Sequence, residues 1–347
     1  MKILFVDSKS STPYDSMIMR EEGIGGTEGS LVRVARGLAY HHEIAIAQYG
    51  RRQAVWVDGV HYLPRDMAPF GTDIPDCTIV LRKHKLVCDF RRRFPATSLY
   101  CWIHNWQPAE VIIKRAWLAR AGAGLICVSQ SHCAHSNRMI NGPVARLLGA
   151  AALISRRVPV HYIYNPVDDD LIPDGTAVDR DQMIFFSTAN KGLLQVLRNF
   201  TAVSHAVPTI KLLVAGTRPE DMQSNHPDCV MILQQPGVRL LGRLPQQEIL
   251  MHLRRSLCVF YPQSMHPETF GLIFAEANAV GVPVLAHDFG AAREVLCSED
   301  QLVDANDTNA VVDRIVSWHR GGRPKVAVRP EFRTSTVIAH WRRLLER

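Results

Sequence analysis

Two carboxylates, Glu268 and Glu276, stand eight positions apart around the turn Thr269-Phe270-Gly271-Leu272, which runs straight into an apolar stretch. Pro267 disfavours helical geometry before the turn, so a helix is expected to start near Thr269 or Phe270. A helix that starts there offers unpaired N–H groups and the positive end of its dipole to an anion. Gly271 carries no side chain to keep a phosphate from the backbone. An anion-binding turn bracketed by two carboxylates suits a ligand with phosphate at one end and hydroxyls at the other. A nucleotide sugar is such a ligand.

Other residues invite chemistry more weakly. Lys191, in Ser187-Thr188-Ala189-Asn190-Lys191-Gly192, follows a β-rich run. A lysine at a strand-to-helix turn is either a solvated loop residue or a phosphate partner able to stabilise charge on a departing diphosphate. Gly23-Ile24-Gly25-Gly26-Thr27-Glu28-Gly29 is glycine-rich, but its spacing is wrong for G-x-G-x-x-G and it lies well beyond the first strand. His104 ends the run Leu99–Ile103, at the edge of a parallel strand where such sheets bind ligands, although a lone histidine there is more often structural. Ser129 after the next strand reads equally as a helix N-cap. Asp179-Arg180-Asp181 and Asp168 to Asp170 fall in a linker and not after a nucleotide-binding strand, so no metal site is expected from them.

The elements that must position these residues alternate almost throughout. Strands are expected at Lys2–Val6, Glu43–Gln48, Asp76–Leu81, Ser98–Ile103, Leu125–Val128 and Val160–Tyr164, with helices at Thr27–Ala39, Ala109–Ala121 and Gln130–Ile140. The scheme repeats with strands at Met183–Ser187, Ile210–Ala215, Cys258–Tyr261 and Val284–Ala286, and helices at Leu193–Ala206, Gln246–Arg254, Leu272–Val280 and Thr308–Trp318. Such alternation argues α/β architecture, with two consecutive doubly wound domains of parallel sheet and crossover helices. The expected domains are 1–166 and 167–330, with Asn165 to Arg180 as the boundary. An amphipathic C-terminal helix within 331–347 rejoins the first domain.

The pattern of Pro-Glu-Thr-Phe-Gly, then Gly281-Val282-Pro283-Val284, then Gly290 and Glu294, resembles the donor site of the retaining glycosyltransferases of family 4. That resemblance implies the GT-B fold, two Rossmann-like domains facing across a cleft. It also implies roles: Glu268 at the donor sugar and reacting face, Glu276 on the nucleotide ribose, and the amides of Phe270, Gly271 and Leu272, beside Thr269, on the diphosphate. Family members place a lysine before glycine where Lys191 stands, preceded five positions earlier by a phosphate-binding arginine. Here that position is Phe186, so either Asn190 and Ser187 compensate or another basic residue, with Arg218 the candidate, reaches in. Gly25 and Gly26 match the family's G-G-x-E element near the donor phosphates and acceptor, His104 matches a histidine near the transferred sugar, and Ser129 matches a V-S motif. The glycine-free segment Cys297 to Val303 departs from the family's glycine-rich loop.

The whole chain fits this reading. Its 347 residues suit two domains, and 47% hydrophobic with 21% charged residues is ordinary for a soluble enzyme. No window reaches the roughly 20 apolar residues of a spanning helix; the longest candidate, Val144 to Ile154, is broken by Arg146. Eight cysteines without a C-x-x-C pair argue against zinc and redox motifs and for a cytoplasmic setting. The charge of +7 divides into +9 over residues 1–166 and −2 over 167–347, the excess gathering at Arg51-Arg52, Arg82, Lys83, Lys85, Arg91 to Arg93 and Arg156-Arg157. Such a surface is either a solvated face or a platform for anionic lipid or a phosphorylated acceptor. Nucleic acid ranks last, because no aromatic residues interleave the basic runs. The expected activity is transfer of a sugar from a nucleotide sugar to an acceptor glycan or lipid-linked sugar, without metal or cofactor. A nucleotide-sugar epimerase or hydrolase of the same fold, or a non-catalytic nucleotide-sugar-binding protein, is the alternative.

Overall fold

The computed structural model describes every residue except 68, 72, 107–110, 144, 146, 148–156, 218–232 and 347, with the side chains of 111–113 also outside it. Arg218 and most of the apolar run from Val144 lie outside the described residues.

The chain forms two compact units: residues 1–19, 24–166 and 334–347 make the first, and residues 20–23 and 167–333 the second. In the first unit the strands are β1 (Lys2–Asp7), β2 (Glu43–Gln48), β3 (Val55–Val57), β4 (Val60–Pro64), β5 (Cys77–Leu81), β6 (Ser98–Trp102), β7 (Gly124–Cys127) and β8 (Val160–Tyr162). They form one sheet in the order β3-β4-β2-β1-β5-β6-β7-β8, parallel except where β3 pairs with β4. Strands β1, β5 and β7 are buried along nearly their whole length, as continuous apolar runs in a two-faced parallel sheet must be. The short β3–β4 hairpin and the helix Leu86–Arg93 escape the sequence reading. The hairpin turns at Asp58-Gly59, both at positive φ, and its strands are too short and mixed for a period-2 signal. The helix Thr334–Leu345 buries Trp341, whose ring meets Phe5 at 6.1 Å and Trp102 at 4.9 Å, both edge-on. A Cβ on Gly37 of the helix Gly26–Ala39 would stand 2.4 Å from the Ile338 side chain, so glycine permits the two helices to close together.

The second unit holds β9 (Asp179–Phe186), β10 (Lys211–Ala215), β11 (Val238–Gly242), β12 (Ser256–Tyr261), β13 (Val284–His287) and β14 (Leu302–Val303), in the order β11-β10-β9-β12-β13-β14. All five strand pairs are parallel. Strand β11 was missed because Val238–Gly242 has no fully buried residue, and so no apolar run. Asp179-Arg180-Asp181 is not linker: it opens β9, at the edge of the sheet opposite the strand ends that bear Lys191 and Glu268, and Asp181 accepts bonds from Thr209 Oγ1 at 2.6 Å and His319 Nε2 at 2.9 Å. Val167 donates to the Phe332 carbonyl, and Arg333 donates to the carbonyls of Asp168 and Leu171.

Read by first appearance in the chain, the second sheet runs 3-2-1-4-5-6, the order of a doubly wound dinucleotide fold. Its direction of winding reverses between β9 and β12. The first sheet reverses likewise between β1 and β5. In open α/β sheets ligands bind outside the carboxyl ends of the strands at that reversal.

Candidate functional site

The reversal point of the second unit is where Lys191 and Glu268 meet. Lys191 lies in the turn after β9 and donates from Nζ to Glu268 Oε1 at 3.0 Å; Glu268 lies on the loop after β12. Tyr261, at the end of β12 and 1% exposed, donates its hydroxyl to the same Oε1 at 2.9 Å. Burial, and next the Glu268 charge, hold the Tyr261 phenol well above its usual pKa, so it stays a proton donor at any working pH.

Local sequence explains the geometry. Gly192, at φ +79°, caps the helix Leu193–Ala206, and a Cβ there would fall 2.7 Å from Gln263. Gln263 is fully buried: its Oε1 accepts the amides of Met265 and His266 at 2.9 Å each, and its Nε2 donates to the His266 carbonyl. That amide thereby folds the four residues before Pro267. Gly290, after β13 at φ +59°, lies against the same turn, since its Cβ would fall 2.7 Å from the Glu268 carbonyl oxygen. The neighbouring Ala291 N–H donates to that oxygen at 3.0 Å.

The helix begins at Leu272, as its apolar pattern gives, and not near Thr269 or Phe270, as the proline argument gives. It spans Leu272–Ala279 with Gly271 as N-cap at φ 86° and ψ 69°, left-handed values that no residue inside a helix adopts. Thr269 and Phe270 therefore precede it. Phe270 is buried, its ring edge-on to Phe332 at 5.1 Å. Glycine at 271 has two local causes, the positive φ and the ring of Phe274, which a Cβ would approach to 2.5 Å. Leu272 starts the helix and Glu276 lies in its second turn, half-buried. Asn190 is exposed; its Oδ1 accepts from Thr188 Oγ1 at 2.5 Å. Phe186 is buried at the end of β9, so no cation comes from that position.

The remaining candidates belong to the first unit. Gly25 is the N-cap of the helix Gly26–Ala39, in extended geometry at φ −62° and ψ 152°, and Gly26 is its first residue. A Cβ on Gly25 would meet Glu28 Oε2 at 2.5 Å, so the Glu28 carboxylate folds over the glycine turn. His104 follows β6, half-buried, its ring 4.6 Å from that of Trp102. Burial, then the charges of Arg82 and His132, hold it well below the usual histidine pKa, so it is neutral. Ser129 is the N-cap of the helix Gln130–Asn141 and accepts the His132 amide at 3.0 Å. His132 is buried, its pKa lowered to about 4 by burial against an opposing hydrogen bond to the Asn105 carbonyl, 3.1 Å from Nε2. Nδ1 lies 3.4 Å from the Val128 N–H, which makes it the acceptor and Nε2 the donor. His132 thus ties the turn after β6 to the turn after β7.

Sequence reasoning missed Tyr261, Gln263 and His132. None stands in a motif: Tyr261 ends a strand, Gln263 lies two residues beyond it, and His132 sits in the first turn of a helix. Among the described residues no three His, Cys, Asp or Glu side chains cluster as metal ligands.

Comparison with known proteins places these features. Residues 177–329 match the family "Glycosyl transferases group 1". A phosphatidyl-myo-inositol mannosyltransferase of Mycobacterium leprae is 27% identical over 39% of this chain, and one of Propionibacterium freudenreichii is 25% identical over 48%. The chain spans only 35% and 45% of the length of those two relatives. Anabaena HepE, crystallised with UDP and glucose, shares the fold over 100% of this chain and 99% of its own, with a TM-score of 0.70 and 16% identity. Residues 177–329 thus resemble the glycosyl transferases group 1 family, and the chain as a whole has the GT-B fold of two Rossmann-like domains.

Proposed function

We propose that the chain is a retaining, metal-independent glycosyltransferase that moves a hexose or related sugar from a nucleoside diphosphate to an acceptor hydroxyl. The observation that carries this reading is the Lys191–Glu268 pair at the sheet reversal, beside the helix that starts at Leu272. In it the diphosphate takes Lys191 and the amides around Gly271, Glu276 holds the ribose, and Glu268 meets the sugar hydroxyls. Asn190 and Thr269 line the donor. Retention follows front-face attack. The bond from the sugar C1 to the diphosphate breaks, the acceptor oxygen takes its place on the same face, and the departing diphosphate accepts the acceptor proton. Stabilising charge on that leaving group is then the main catalytic effect. Incubation with a panel of nucleotide sugars, with and without acceptor, is expected to release nucleoside diphosphate only with acceptor, at a rate undiminished by chelation. Release without acceptor indicates a hydrolase, and binding without release a carrier; either overturns the reading.

Two relatives are named for mannosyl transfer to phosphatidyl-myo-inositol, which supports a lipid-linked or surface-polysaccharide acceptor and work at the cytoplasmic face of a membrane. No helix among the described residues is long and apolar enough to cross a bilayer. The basic excess of the first unit is narrower than its sequence suggests. Arg51 is buried on Asp15 at 2.9 Å, the half-buried Arg82 is paired with Asp7, and Arg91 donates to the carbonyls of Ala121 and Thr97. Lys83, Lys85, Arg92 and Arg93 remain exposed on and before the helix Leu86–Arg93. They are expected to bind anionic vesicles at low salt and release them as salt rises. Failure to sediment with such vesicles even at low salt removes the membrane proposal.

A further inference from the structure

The reversal point of the first sheet holds a charged cluster of which only Glu28 stands in a motif. Asp7 ends β1 and is fully buried; Arg82 follows β5 across the reversal. Arg82 Nη2 donates to Asp7 Oδ1 at 2.9 Å and Oδ2 at 3.0 Å, and to Glu28 Oε1 at 3.0 Å. Tyr14 donates its hydroxyl to Asp7 Oδ2 at 2.9 Å. Among the described residues Arg82 Nε is buried without a hydrogen-bond partner. The backbone is equally unusual. Arg82 has φ +60°, a left-handed value that non-glycine residues seldom hold unless the surroundings enforce it, and such strain gathers at functional sites. Its N–H donates to the Trp102 carbonyl while Lys83 N–H turns back to Leu81, which swings the side chain over the end of β1.

Glu28 is the acidic residue of the Gly25-Gly26-Thr27-Glu28 turn, and it folds over Gly25. We propose that Arg82 is a positioning residue, clamping Glu28 to Asp7 so that the Gly25–Gly26 turn and the first turn of its helix are held in shape to receive substrate. The clamp rests on the proposed function for its purpose, but its mechanical half stands apart from catalysis. One guanidinium nitrogen shared by two carboxylates makes a joint that a lysine, with its single flexible ammonium, cannot copy in direction. The cluster sits in the first sheet where Lys191–Glu268 sits in the second, at the winding reversal that binds ligands.

The test compares Arg82→Lys, Glu28→Gln and the pair with the unaltered protein, by amide exchange at Gly29 and Ser30 and by steady-state kinetics. Gly29 N–H donates to the Gly25 carbonyl at 2.8 Å, so its exchange reports whether the first helical turn is closed. Each single variant is expected to speed that exchange by roughly tenfold or more and to lower kcat by about 10-fold to 100-fold, with donor KM within about threefold. The pair is expected to fall no further than the worse single, because both remove one joint. Unchanged exchange, or losses that multiply in the pair, overturns the clamp. If Arg82→Lys does not fold, Glu28→Gln decides alone, since it leaves Arg82 on Asp7. If the unaltered protein turns over no nucleotide sugar, the proposed function fails and the exchange result still decides the clamp.

Discussion

Lys191→Ala is expected to lower kcat for acceptor-dependent diphosphate release by about 10²-fold to 10³-fold, the usual cost of removing one preorganised group from a developing charge. The fold should survive the change. The lysine side chain is 37% exposed, and pairs so open to water contribute under about 1 kcal/mol. Glu268 also keeps its bond from Tyr261. A rival explanation makes Lys191 merely the counter-charge of Glu268, and the double variant Lys191→Ala with Glu268→Gln separates the two. If neutralising Glu268 were the lysine's only task, the double variant would turn over no more slowly than Glu268→Gln alone. If the lysine meets the diphosphate, the double variant falls well below Glu268→Gln alone. Kinetics on the four proteins, with melting curves to confirm folding, decide it. Near-normal turnover by Lys191→Ala would remove the site assignment altogether.

The legibility of this site in sequence follows from how local its causes are. Strand ends and helix starts at Lys191 and Leu272 follow from apolar runs interrupted by glycine and proline. The helices Leu193–Ala206 and Thr308–Ser317 likewise follow their periodicity closely. Gly271 was read as an opening for phosphate, whereas its φ and the ring of Phe274 account for it locally. The proline argument, unlike the apolar pattern, set the helix start two or three residues early. The proline argument acts only on the residue before Pro267, while Phe270 is drawn down by Phe332, more than sixty positions away. The Arg82–Asp7 joint was illegible for the same reason. Its partners are 75 residues apart, and in sequence Arg82 looks like one more cation of a basic run. The charge excess over residues 1–166 thus misled in part, because counting cannot tell a solvated arginine from one, like Arg51, buried on a carboxylate. Sheet order turns both clusters into a pattern, and sheet order is a tertiary fact.

Gly290→Ala is expected to weaken both stability and turnover, and the size of each effect follows from one loop touching another. Alanine at φ +59° meets the left-handed penalty of about 1–2 kcal/mol. Its Cβ would also stand 2.7 Å from the Glu268 carbonyl oxygen and 2.9 Å from Pro267 Cβ, backbone and ring atoms that have no rotamer by which to withdraw. Overpacking of that kind costs about 1–3 kcal/mol more. Gly175 offers the control: its φ is +79° with nothing within 4 Å, so Gly175→Ala incurs the backbone penalty without the clash. The difference in unfolding free energy between the two variants is therefore the cost of displacing the 267–268 turn. Glu268 rides on that turn, and a shift approaching 1 Å at a reacting group lowers rates by as much as about 10²-fold. Turnover in Gly290→Ala should accordingly fall at least about tenfold at a temperature where the protein is fully folded, while Gly175→Ala keeps the original rate. If the two alanine variants prove equally mild in both measurements, the loop after β13 does not hold Glu268 in place. The ordering of the site would then rest on Gln263 and Tyr261 alone.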